Sequence, residues 1–110
     1  MKIQEYSKSK GRYYFFCPGC REFHSVNTVT AHRDGLKFQL QGDKNNPTFV
    51  PLNQVIERTI ESFNKSLHAT NPGHVCLSVI RTGHIRFLGS CTHTLAGQMV
   101  PLPDLKPDQI

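Results

Sequence analysis

Long apolar runs are missing from this chain. Nothing in its 110 residues approaches the roughly 18 apolar positions of a membrane span, so no role within a bilayer is expected. The first ten residues lack the apolar core of a secretory signal. The expected compartment is therefore a reducing cytoplasm, where cysteines serve as metal ligands or reactive thiols more often than as disulfides. Acidic residues are scarce, eight against thirteen Lys and Arg, and they are scattered, which counts against a carboxylate-based catalytic centre. Arginine-rich tracts are absent, and no tandem basic and aromatic surface is evident along the sequence. The net charge of +5 permits a polyanionic partner without requiring one.

What is present is Cys17-Pro18-Gly19-Cys20. A two-residue loop between thiols brings both sulfurs to one side of a turn, where zinc takes thiolates at about 2.3 Å in tetrahedral geometry. Pro18 presets φ at about −65° and Gly19 accepts the positive φ that such a loop calls for. One such pair is half a site. Cys76 and Cys91 are expected to complete it, with His24 and His93 as alternates close enough to replace a thiolate. A redox dithiol is the competing reading of the pair, weakened because no predicted helix opens at it to lower a thiol pKa. His32, His68, His74 and His84 are most simply surface residues.

The length suits one domain, with residues 1–11 as a flexible basic arm and residues 12–110 as a β-rich zinc-binding unit. Residues 12–16, an aromatic run of high β-propensity, lead into the cysteine turn as a strand, and residues 23–30 lead out as a second. The strict alternation of residues 36–40 predicts a half-buried strand, and residues 48–50, between two prolines, a short extended piece. From Asn53 the period changes. Ile56, Ile60, Phe63 and Leu67 predict one amphipathic helix over residues 53–67, capped by Asn53 and ended by Asn71-Pro72-Gly73. Residues 75–80 and 84–88 flank Thr82-Gly83 as a β-hairpin. A two-residue loop there puts Cys76 opposite Gly89 and Cys91 opposite His74, with strands about 4.8 Å apart, unless a bulge intervenes. The predicted fold class is α+β: mostly antiparallel strands in a zinc-ribbon-like arrangement, with one helix packed on a sheet face.

Taken together, the Cys-Pro-Gly-Cys turn followed by His24, the Pro-Thr-Phe element at residues 47–49 within 42–51, Cys76, and the run from Arg81 through Cys91-Thr92-His93 to Leu95-Ala96-Gly97 resemble a family of small uncharacterised bacteriophage and prophage proteins. The resemblance covers residues 13–103 and implies a phage-encoded protein acting in a bacterial cytoplasm. That family shows a histidine after the third cysteine and an aspartate before the fourth, where this chain has Leu77 and Ser90. The segment 53–67 also looks longer than the family's connection.

Three functions compete. A structural zinc ion held by four thiolates would leave no open coordination position, which suits a binding protein whose partner is a host protein first and nucleic acid second. Lys8, Lys10, Arg12, Arg81 and Arg86 are the candidate nucleic-acid contacts. A metal-dependent hydrolase needs an open position for water and a proton shuttle such as His24 or His93, with Asp43 the acid nearest the motifs. A thiol enzyme using Cys91 with His93 as base is the third.

Overall fold

The computed structural model describes residues 1–29, 38–51, 60–61 and 73–109. Their strands form three antiparallel sheets. The first joins β1 (Gln4–Glu5), β2 (Arg12–Cys17) and β3 (Glu22–Asn27) in that order, and the second pairs β4 (Phe38–Gly42) with β5 (Pro47–Pro51). The third runs β6 (Ile60–Glu61), β7 (Leu77–Arg81), β8 (His84–Phe87) and β9 (Met99–Pro101).

Alternation sets what each strand offers the interior. On β2, Phe15 and Cys17 are fully buried, and their facing partners across the pair are His24 and Glu22. Arg12, Tyr14 and Phe16 point the other way, because successive side chains leave a strand on opposite faces. Phe38 and Phe49 deliver the second sheet to the same core, which also holds Ile3, Val26, Ile80, Ile85, Phe87 and Leu102. All four cysteines belong to this buried cluster.

The hairpin of β7 and β8 keeps the register that a two-residue loop dictates, with Ser78 facing Phe87 and Arg81 facing His84. Thr82 and Gly83 both have positive φ, the type I′ geometry whose twist matches the strands. The hairpin tip docks on the second sheet, as Gly83 N–H donates to Pro47 C=O (3.0 Å) and Thr82 N–H to Thr48 Oγ1 (2.8 Å).

The expected α+β class is overturned: among the described residues the fold is all-β, with one short 3₁₀ turn at Pro107–Gln109 and no α-helix. Ile60 and Glu61, at the centre of the predicted helix, form a strand facing Ser78 and Leu77. The remainder of residues 53–67 lies outside the described residues. The physical reason is visible in the segment's composition. Thr59, Ile60, Ser62, Phe63 and Asn64 are weak helix formers, and a β-branched residue that finds a sheet edge and is 2% exposed gains more from pairing and burial than from one turn of helix.

Residues 1–11, expected as an arm, contribute a buried Ile3 and strand β1. Lys2 N–H donates to Lys44 C=O (2.7 Å), its ammonium to Leu102 C=O (2.6 Å), and Leu105 N–H to Met1 C=O (2.8 Å). The proline-punctuated tail is likewise anchored by Leu102 and Leu105, both buried.

Candidate metal centre

The centre begins with the turn between β2 and β3. Cys17 leaves β2 on its inward face, Arg21 N–H closes the turn on Cys17 C=O (2.7 Å), and Cys20 N–H donates to Cys17 Sγ (3.4 Å). Arg21 takes the positive φ of this turn.

The second half comes from the open end of the hairpin. Leu88 N–H donates to Leu77 C=O (3.1 Å), in step with the hairpin register. The chain then makes a turn over Leu88, Gly89, Ser90 and Cys91, and Thr92 N–H resumes pairing with Val75 C=O (3.0 Å), two residues out of step. A shift of two preserves the face. It therefore puts His93 beside His74, the place that an uninterrupted register would give Cys91, and the two rings lie 6.4 Å apart.

One ligand atom from each of Cys17, Cys20, Cys76 and His93 lies within 4.8 Å of the others. Cys17 Sγ is 3.9 Å from Cys76 Sγ, and His93 Nε2 is 3.6 Å from Cys76 Sγ. These four residues can hold a metal ion. Gly19 makes room for the imidazole, since a Cβ there would come within 2.3 Å of the His93 ring. Phe87 closes the other side, edge-on at 4.4 Å.

Cys91 is also buried, but its Sγ accepts from Leu77 N–H (3.3 Å) and donates to Leu77 C=O (3.2 Å). The Cys91–His93 dyad of a thiol enzyme is thus turned apart, one member toward Leu77 and the other toward Cys76. Asp43 is spent on an exposed loop, where N–H donors of Asn46 and Asn45 hold its carboxyl below the usual range. Among the described residues, no carboxylate joins the cluster.

Two further histidines border it. His74, which sequence reasoning placed at the surface, has Nε2 3.1 Å from Cys20 Sγ and Nδ1 3.1 Å from Thr92 Oγ1. Its closeness to Cys76 in sequence was the available signal. His24 is 5% exposed; its Nδ1 faces Phe23 C=O (3.1 Å) and must donate to it. Nε2 then carries a lone pair, buried and without a hydrogen-bond partner among the described residues. His93 has the opposite tautomer when neutral: Nδ1 accepts from Leu95 N–H (3.2 Å), leaving the proton on Nε2. His84 sits at the exposed hairpin turn with Nδ1 against Thr82 C=O, and His32 and His68 lie outside the described residues.

The thiols share charge unequally. Hydrogen bonds from Cys20 and Cys76 hold Cys17 far below the usual thiol range. Donating to Cys17, together with burial, pushes Cys20 up to about 12, and the same causes push Cys76 up. Burial pushes His93 down and keeps it neutral. Negative charge in the cluster is thus favoured on Cys17 over Cys20 and Cys76.

Of the candidate cations, Lys8, Lys10 and Arg12 lie around the start of β2, whereas Arg81 and Arg86 are exposed on the third sheet. No described helix is long and apolar enough to cross a membrane. Comparison of the chain with protein-family models, with curated proteins and with solved structures finds no match in any of the three.

Proposed function

We propose that Cys17, Cys20, Cys76 and His93 hold a structural zinc ion, and that the protein is a small phage-type binding domain acting on a macromolecule of a bacterial host. The supporting observation is convergence: four donors, the outermost of them Cys17 and His93, meet within 4.8 Å with all three sulfurs buried. Three sulfurs and one imidazole suit zinc and close a tetrahedral shell, leaving no position for an activated water. Zinc binding requires Cys20 and Cys76 to lose their protons, and His93 to free Nε2 and give up the Leu95 contact. The phage assignment rests on the resemblance carried by the Cys17 turn and the Cys91-Thr92-His93 run.

The test is elemental analysis of untagged protein purified without chelator, with circular dichroism during chelation. One zinc per chain and unfolding on removal is the expected result; no bound metal, or a fold indifferent to chelation, would sink the reading. A second ligand set is favoured by the buried, unpartnered Nε2 of His24, already in the tautomer a metal ligand needs. Cobalt-substituted His24→Gln and His93→Gln proteins discriminate: the true ligand is the one whose loss shifts the visible d–d bands.

A further inference from the structure

The outer face of the first sheet carries an assembly that the metal centre does not use. Arg12, Tyr14 and Phe16 of β2 share that face with Phe23 and Ser25 of β3, and Tyr6 joins them from just beyond β1. Four rings make a continuous row, with centroids 5.0 Å apart from Tyr6 to Tyr14, 5.7 Å from Tyr14 to Phe23 and 5.3 Å from Phe23 to Phe16. Phe23 is 40% exposed, and Tyr6, Tyr14 and Phe16 are half-buried, none of them closed off by the described residues. Tyr14 is held in place by its hydroxyl, which donates to Gln109 C=O.

Cations stand at both ends. The Arg12 guanidinium lies 4.7 Å from the Tyr6 ring centroid and donates to Ser25 Oγ (3.2 Å). Lys8 and Lys10 are exposed in the turn before β2, and Arg21 is exposed at the far turn; none of the three forms an ion pair among the described residues. Beside Arg12, an open cavity of about 160 Å³ is lined by Ser9, Lys10, Gly11, Arg12 and Asn27. The nearby Glu5 carboxylate is engaged by Gly11 N–H (2.7 Å).

We propose that this face binds single-stranded nucleic acid, with bases stacking on Tyr14, Phe16 and Phe23 and phosphates meeting Lys8, Lys10, Arg12 and Arg21. The inference deepens the binding-domain reading by naming the partner class. Charge complementarity selects the ligand. A row of rings flanked by unpaired cations matches a polymer that alternates aromatic faces with anionic linkers, whereas a duplex hides its base faces. Arg12 and Phe16 are about 13 Å apart along β2, room for the two or three bases that an antiparallel sheet stacks in RNA-binding domains. Arg81 and Arg86, on another sheet, are not part of this surface.

The experiment is fluorescence anisotropy with a labelled 12-nucleotide oligo-dT, an oligo-U of equal length and a duplex of equal length, with zinc content and melting temperature recorded for every protein. Both single strands should bind better than the duplex. Affinity should fall roughly twentyfold between 50 and 200 mM salt if about three phosphates are contacted. Phe23→Ala should weaken binding about tenfold or more at unchanged zinc content and melting temperature, and Lys8→Glu with Lys10→Glu should flatten the salt dependence. Duplex preference, binding indifferent to Phe23→Ala, or no binding at low salt would overturn the proposal. A metal-free protein that still binds in this pattern would sink the zinc reading and leave this one standing.

Discussion

The two faces of β2 and β3 are built from interleaved residues and have opposite chemistry. The inner face offers Phe15, Cys17, His24 and Val26 to a sealed core, where each polar atom must find a partner or an ion. The outer face leaves Arg12 and Phe23 exposed and Tyr14, Phe16 and Ser25 half-buried. The difference teaches that one strand pair can line the core and carry a separate aromatic and basic outer surface at once, since the period of two keeps the two faces from sharing a residue. Substitutions should accordingly divide by face rather than by position along the chain.

The sharpest break of that contrast is Cys76→Ser, which removes a buried sulfur from the residue just before β7. It should abolish zinc binding and the cooperative thermal transition, a loss of at least 3 kcal/mol, roughly the scale of removing a structural metal ligand. Retention of one zinc per chain with an unchanged melting temperature would refute it.

Next in size is the response of the centre to acid. Because Cys20 and Cys76 have raised pKa values and must deprotonate to bind, while His93, with its pKa lowered, stays neutral, zinc binding releases two thiol protons. Affinity should fall roughly a hundredfold per pH unit as pH drops from 8 to 7. Competition titration against a chelator of known pH dependence reads this, and a slope near zero would show that the thiols are already ionised.

Gly19→Ala tests the inner side more gently. The added methyl must displace the His93 imidazole, and overpacking of this kind costs about 1 to 3 kcal/mol. The expected result is a lower melting temperature and weaker zinc retention with the fold intact. At the small end, Phe23→Ala on the outer face should change stability by less than about 1 kcal/mol, because the ring is already partly in water. A large loss in a denaturant titration would mean that the aromatic row is structural.

Local chemistry explains which parts were legible. The cysteine turn, the strands leading into and out of it and the hairpin register all follow from short-range rules, Cys17-Pro18-Gly19-Cys20 in one case and Thr82-Gly83 in the other. Where two extra residues enter at Gly89 and Ser90, the register slips and His93 rather than Cys91 arrives beside the sulfurs; no local signal sets the size of such a turn. The helix expected over residues 53–67 is overturned at Ile60 because apolar spacing alone carries no information about the sheet edge that claims this residue. The aromatic and basic surface was invisible for a different reason. Tyr6, Tyr14, Phe16 and Phe23 are separated in sequence and meet only through strand pairing.

The pairing of Cys17 with a thiol 59 residues further on has a consequence for how freely the chain can vary. An ion held from both ends would turn the intervening polypeptide into a closed ring, and the entropy of closing a ring rises only with the logarithm of its length. Doubling the connection would cost about 0.6 kcal/mol. Segments spliced between Cys20 and Cys76 are therefore cheap so long as their ends meet the sheets, and that stretch is where a reporter or an extra recognition element can be carried without loosening the clasp.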